Sequence, residues 1–483
     1  MSQFDLFVKR SALIGIMTLL TALNGIIMVP ILTRSLVIAQ YGVYVQVVAT
    51  INLLSIVGTL GMPSTIARFL AATKKREEIQ EGFYSILVIV VIASLVVAIV
   101  IYCVSPLLAQ SIFNNDLNVA RILPFLVYIG CLNLFLLSYF RTFQQIKYYS
   151  LLNVVLIYSN TAFVAYFALT NHGLIGILFG SLLAQLLVLF MLLLLIIPKV
   201  GISVPQLIHA KDYLSYGLPL VPSSLSNWTV DLSDRYIIGL FLGSAFVGYY
   251  SPGYSLAYLI TICFSPIAVL LGPSVYKFYD ENKISEVRTT LGYSLKYSLI
   301  LAIPSAFALS ILSKAILLSL STPEIAAHGY IITPFVAAGF VVLGVYGIFL
   351  EILLINKKTG TVNNIWLIAA LLNVVLTVLL VRSIGIIGAG IATLLTFVFI
   401  LMITGYLSSK YLKLKLDFVS IAKSLIGSSF MSVVLVELNP TGLASIFGSI
   451  ALSAAIYVGI LYILRTFSPQ ELTFFKNNLP VHR

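Results

Sequence analysis

The sequence predicts an all-α polytopic membrane protein with about fourteen transmembrane helices. Three observations predict it. The 483-residue chain is 60% hydrophobic and only 9% charged, whereas soluble domains are nearer a quarter charged. Its mean hydropathy of +1.08 is too high for a water-facing surface. Its apolar runs also continue unbroken for about twenty residues or more, as in "SILVIVVIASLVVAIVIYCV" (Ser85 to Val104). Only helices and closed barrels satisfy their backbone in lipid. Barrel strands alternate apolar and polar residues over about ten positions, so long unbroken runs select helices.

Taken in order, the spans fall at 11–33, 43–66, 83–109, 119–140, 150–170, 173–197, 213–242, 246–275, 290–320, 327–355, 361–381, 385–408, 419–437 and 442–464. The first has no cleavage pattern before it and is too long for a signal-peptide core, so it reads as a permanent helix. The third exceeds the ~20 residues needed to cross and must tilt or project. Pro219 and Pro222 sit early in the seventh. Proline removes a backbone donor, which predicts a bent span able to line a cavity or act as a hinge. No connection has room for a soluble catalytic domain.

Orientation follows from Lys and Arg in the connections. Of the 28 such residues, twenty-two fall at the N-terminus and every second loop. Arg34, Arg121, Lys314 and Arg382 fall on the other side, and Arg235 and Lys296 within spans. This asymmetry predicts a multi-pass protein of the inner or plasma membrane with both termini cytoplasmic. It also explains the net charge of +12 as topology, with no nucleic-acid partner.

The chain matches parts of itself at a shift of 206 to 212. "ILPF" (Ile122 to Phe125) falls on "ITPF" (Ile332 to Phe335), "YGVY" (Tyr41 to Tyr44) on "VGYY" (Val247 to Tyr250), and "GLIGILFGSLL" (Gly173 to Leu183) on "GIIGAGIATLL" (Gly385 to Leu395). Arg141 falls on Glu351 in the same way. A duplicated unit of six spans enters the membrane twice from the same side, which predicts two parallel lobes. The expected division is residues 1–212 for spans 1 to 6, 213–410 for spans 7 to 12, and 411–483 for spans 13 and 14 with a cytoplasmic tail. A site between two lobes can open to either face by rocking, the alternating access of a transporter.

Polar residues inside spans mark candidate sites, because a charge in lipid costs ~2.5–3.5 kcal/mol on insertion scales. Asn227, Asp231, Asp234 and Arg235 stand on one stripe of span 7,. Asp231 and Arg235 have the favourable i,i+4 spacing of a pair. The stripe reads either as a self-neutralised pair packing two helices or as a wet site. In the second reading the spare carboxylate of Asp231 or Asp234 carries a proton or a sodium ion. Asn24 and Arg34 in span 1, Arg68 closing span 2, Arg141 and Lys296 supply further polar groups and cations. Snorkelling is the plain alternative for the arginines near span ends. Cations near a cytoplasmic mouth suit an anionic, phosphate-bearing substrate. Tyr139, Tyr158, Tyr166 and Tyr254 could face a sugar, with packing and interfacial belts as the alternative.

No catalytic constellation is visible. His172, His209, His328 and His482 are scattered, with no metal-ligand spacing,. There is no Walker A motif. Cys103, Cys131 and Cys263 all lie in apolar runs and read as small core residues,. The chain is therefore expected to be no enzyme and to need no cofactor beyond a coupling proton or sodium ion.

Three segments carry a family resemblance. "ILTRSLVIAQYGVYVQVVATINLLSIVGTLGMPSTIARFLA" (Ile31 to Ala71), "DRYIIGLFLGSAFVGYYSPGYSLAYL" (Asp234 to Leu259) and "GIIGAGIATLLTF" (Gly385 to Phe397) resemble helices of the polysaccharide-biosynthesis flippases, relatives of the MATE transporters in the MOP exporter superfamily. The resemblance implies two six-helix lobes around a V-shaped cavity. It implies export of a polyprenyl-(pyro)phosphate-linked oligosaccharide, such as an O-antigen repeat unit, from the cytoplasmic to the outer leaflet. Pathway polymerases or glycosyltransferases would then be partners. It implies cavity cations, which fall here on Arg34, Arg68 and Arg235, and a lipid groove shaped by spans 13 and 14. A lipid II flippase and a cation-coupled MATE exporter are the rival readings; a membrane-embedded glycan enzyme is the remote one.

Overall fold

The computed structural model describes residues 3–414 and 417–466, with side chains described from Leu13 onward except at 269 and 270. The expected tail with Lys476, His482 and Arg483, together with Lys415, lies outside the described residues, as do the side chains of Lys9 and Arg10. The described chain runs α1 (Gln3–Ser35), α2 (Ile38–Thr59), α3 (Met62–Leu70), α4 (Arg76–Cys103), α5 (Ser105–Ser111), α6 (Leu117–Thr142), α7 (Ile146–Leu169), α8 (Gly173–Val200), α9 (Ala210–Gly217) and α10 (Val221–Leu242). It continues with α11 (Ser244–Tyr258), α12 (Thr261–Asp280), α13 (Ile284–Leu320), α14 (Pro323–Gly329), α15 (Thr333–Ile355), α16 (Thr359–Ile384), α17 (Ile386–Ser409), α18 (Phe418–Leu438) and α19 (Leu443–Ile463).

Thirteen helical segments among the described residues, α14 and α15 counting as one, are long and apolar enough to cross a membrane. Helix α10 has 22 residues and is long enough too, but it holds Asp231, Asp234 and Arg235. With it the count reaches the fourteen expected from sequence.

Burial is inverted relative to a soluble protein. On α4, Ser85, Ile86, Val90 and Ser94 are buried, whereas Ile92, Val96 and Ile99 are each more than half exposed. Aliphatic side chains gain nothing by leaving lipid, so small and hydroxyl-bearing residues take the helix contacts. Inward Ser and Thr hydroxyls turn back on their own helices: Ser94 donates to the Val90 carbonyl at 2.6 Å and Thr59 to the Ser55 carbonyl at 2.7 Å.

Several predicted spans are broken, each for a local reason. The span expected at 43–66 divides into α2 and α3 at Leu60 (φ 48°) and Gly61 (φ 74°). Gly61 cannot carry a side chain, because a Cβ there would collide with the Gly217 carbonyl of α9. The span expected at 83–109 divides at Val104, where Pro106 opens α5. The span at 213–242 divides into α9, a 3-10 turn at Leu218–Leu220 and α10, as Pro219 and Pro222 foretell. The span at 246–275, expected to be continuous, is two helices. At Leu259, Ile260, Ile262 and Cys263 each amide bonds the carbonyl three residues back, a tighter turn that ends α11 and starts α12. Helix α13 has 37 residues, about 55 Å at 1.5 Å per residue, and so projects well beyond a ~30 Å hydrocarbon core.

One hydrophobic cluster draws its buried members from Leu32 to Tyr213, and a second from Val230 to Ile400. Tyr213 of α9 belongs to the first, although a boundary at residue 212 assigns it to the second lobe. Helices α18 and α19 pack on α13, where the Tyr457 hydroxyl donates to the Ile300 carbonyl at 2.7 Å.

The two clusters meet where α2 crosses α10 and α11. Gln46 donates to the Arg235 carbonyl at 3.4 Å, Trp228 Nε1 to the Ala49 carbonyl at 3.2 Å, and Thr50 pairs with the Tyr236 hydroxyl at 2.5 Å. At the end of this crossing, Gly42 abuts Ser244, and Asn114 Nδ2 donates to Ser244 Oγ at 2.6 Å. This end lies opposite the face at which α1 begins and is called the far face below.

Candidate functional site

The three charges of α10 do not pair as their spacing predicts. Arg235 Nη1 bonds Asp234 Oδ1 at 2.6 Å, its immediate neighbour, rather than the Asp231 carboxylate. Asp231 offers Nη1 its main-chain carbonyl instead, at 2.6 Å. The i,i+4 expectation is overturned because α11 lies against the other side of the arginine. The guanidinium carbon sits 4.0 Å from the Tyr254 ring centroid and 5.6 Å from that of Tyr250. Two aromatic faces draw the planar cation into the second lobe. The Tyr250 hydroxyl donates to Asp234 Oδ2 at 2.5 Å and completes the ring of contacts.

The outcome is a buried, neutral cluster. Asp234 and Arg235 are 1% and 5% exposed. Both Asp234 oxygens have donors, whereas Arg235 Nε is buried without a partner. A separate polar line starts at the adjacent Ser233: its Oγ lies 3.5 Å from Asn373 Oδ1, and Asn373 Nδ2 donates to Thr396 Oγ1 at 3.1 Å. Asp231 stands outside it. Its residue is half-buried, and it enters none of the ion pairs among the described residues.

The other predicted residues are dispersed. Asn24 accepts from the Thr161 hydroxyl and ties α1 to α7. Asn227 Nδ2 bonds the Ser223 carbonyl of its own helix at 3.0 Å. Arg34 is exposed on the far face and donates to the Ser319 carbonyl at 2.8 Å. Lys296 is half-buried, lies against Tyr297, and its charge acts on Asp417 before α18. Arg141 donates to the Pro63 carbonyl of α3, the short helix that also carries Arg68, at 3.3 Å, and both arginines are exposed. Of the tyrosines, Tyr158 bonds the Leu20 carbonyl, Tyr139 packs in the first core, Tyr166 is exposed, and Tyr254 belongs to the buried cluster.

Tyr250 is the residue that the sequence reading missed. A signal existed. Gly243 is the turn between α10 and α11, and Asp234 and Tyr250 stand at similar distances on either side of it. An antiparallel hairpin brings such positions to one depth.

Comparison with known proteins follows from this geometry. The model of the family described as "Polysaccharide biosynthesis protein" matches residues 7–274, more than half of the chain. The chain belongs to that family. A second model, MatE, matches residues 219–379. Among relatives of this family member, the probable low-salt glycan biosynthesis flippase Agl15 of Haloferax volcanii is 25% identical over 277 residues, 56% of this chain. The matched region spans 58% of that relative's length. A lipid II flippase, MurJ, in an inward closed conformation superposes with a TM-score of 0.78 at 16% identity, covering 95% of this chain and 99% of the other. An inward-facing multidrug resistance MATE transporter of the MOP superfamily gives 0.64 at 17% identity, covering 82% and 94%. These likenesses establish the fold: this family member is a multi-pass membrane protein with the architecture of the MOP superfamily.

Proposed function

We propose that the chain is a flippase that carries a polyprenyl-(pyro)phosphate-linked oligosaccharide from the cytoplasmic to the outer leaflet, with both termini cytoplasmic. The observation that carries this reading is the family match together with a glycan-biosynthesis flippase among the relatives. The geometry adds a mechanism. The two hydrophobic clusters are joined on the far half of α2, from Gly42 to Thr50; in this reading the far face is the outer side, and the join keeps it shut. At the basic face, Arg68 stands exposed on α3 and Arg141 stands exposed against the start of the same short helix. These two cations receive the phosphates, whose several anionic oxygens suit the planar guanidinium forks. Arg235 is not a substrate ligand in this reading, because its guanidinium is spent on Asp234 and Tyr254. It holds the lobe together, and Asp231 is the carboxylate available for a coupling proton or sodium ion. Glycosyltransferases that complete the oligosaccharide act before this step, and a polymerase after it.

The test is reconstitution of the full chain into liposomes with a labelled polyprenyl-pyrophosphate oligosaccharide. Protein-dependent appearance of the label on the opposite leaflet is the expected result, with Arg68→Ala and Arg141→Ala each slowing it and Lys at either position restoring part. Lipid II moving while the oligosaccharide does not would replace the substrate, and movement of neither would sink the reading.

A further inference from the structure

A cavity of about 190 Å³ lies between α12, α13 and α15, apart from the cluster on α10. Phe264, Ile267 and Leu271 of α12 form its apolar wall; Ser298 of α13, with Gly347 and Glu351 of α15, forms the remainder. Two polar atoms are buried here without a protein partner, Glu351 Oε2 and Ser298 Oγ. Ser298 is fully buried. Tyr276 is the hydrogen-bonding neighbour of the Glu351 carboxyl, which leaves the second oxygen to the cavity. The ion pairs among the described residues join Lys75 to Glu78, His209 to Asp212, Arg235 to Asp234 and Lys283 to Glu281, and none includes Glu351. Among the described residues no other charged side chain lines the space.

An unpaired carboxylate within a membrane-embedded bundle is costly, and such residues are held by a partner. A fully buried hydroxyl without a partner is costly as well. Both converge on one small space. We propose that this cavity binds a monovalent alkali cation, held between Glu351 Oε2 and Ser298 Oγ with water completing its shell. One positive charge balances the one carboxylate. A divalent ion would leave excess charge against Phe264, Ile267 and Leu271, with no second acid to offset it. The ligands are hard oxygens, the type that alkali and alkaline-earth cations prefer. At about 30 Å³ per water, the space holds an ion and several waters. Bound there, the cation ties α15 to α12 and α13 independently of what the protein carries.

The experiment is thermal unfolding of the purified full chain in detergent at pH 8, with NaCl replacing choline chloride at constant ionic strength and a parallel KCl series. A saturable rise in Tm is expected with at least one of the two salts. At a hundred times the apparent Kd, the folding equilibrium should shift about 100-fold. Glu351→Gln should fold in choline and lose the response. Ser298→Ala should weaken it roughly tenfold, the loss of one ligand of two. Gly347→Leu is the second variant: a Cβ there meets nothing within 4 Å, so the backbone tolerates it while the longer side chain enters the space the cation needs, and the response should vanish. Asp231→Asn should keep it in full, which separates this site from any transport step on α10. A Tm that tracks pH and ignores the cation would assign the site to a proton and overturn the proposal. So would a salt response that survives in all three cavity variants, or none in the wild type.

Discussion

Gly42 of α2 and Ser244 of α11 meet backbone to backbone: a methyl group on Gly42 would collide with the Ser244 carbonyl. The contact joins the two clusters at the far face, beside the bond from Asn114 to Ser244. Such closeness is available only to glycine, so the position doubles as a wedge site. Gly42→Leu should force the far face apart. In an Ala49→Cys background, where Ala49 is 1% exposed, an outside maleimide should label the wedge variant several-fold faster. Equal labelling would mean that this contact is not a gate.

Arg235→Ala should destabilise the protein by about 3–5 kcal/mol, because Asp234 would be left charged and buried. Lysine at 235 keeps the charge but loses the planar stack on Tyr254, and should cost about 1–3 kcal/mol. The double change Asp234→Leu with Arg235→Met should recover much of the loss, since both charges leave together. Thermal unfolding in detergent decides among these. A full-stability Arg235→Ala would show that the pair is not structural.

Asp231→Asn should leave stability within about 0.5 kcal/mol, as it removes no hydrogen-bonded carboxylate. Liposome transport by this variant should no longer respond to an imposed proton or sodium gradient. Asp234→Asn should instead lose stability and transport alike under every gradient. A gradient response retained in Asp231→Asn removes this residue from coupling.

Asp417 caps α18, accepting from the Ser420 amide at 3.0 Å and the Ser420 hydroxyl at 2.5 Å. Burial pushes its carboxyl up, but these bonds and the charges of Lys296 and Lys423 more than offset it and hold the group below its ordinary 3.8. A depressed folded pKa means stability that is present above 3.8 and lost as pH falls through the folded value. Asp417→Ala should therefore cost about 1 kcal/mol at neutral pH. The gap from wild type should close in strong acid. A gap independent of pH would place the effect elsewhere than in the carboxylate.

Sequence alone determined the solvent, the helix type, the number of spans and the bend at Pro219 and Pro222. These are local matters: unbroken apolar runs need lipid, lipid forbids unpaired backbone, and proline removes a donor wherever it stands. It also carried the family likeness, because Ile31 to Ala71 and Asp234 to Leu259 hold recognisable side chains in order. Tertiary structure decided what the charges do. Spacing on one helix favours Asp231 for Arg235, but Tyr250 and Tyr254 arrive from α11 and turn the guanidinium to Asp234, which frees Asp231. The break at Leu259–Ile260 was likewise hidden, since an apolar run reads the same whether its backbone bonds reach four residues back or three. Pairing of a buried charge depends on what packs against it, and that is settled only when the second helix is in place.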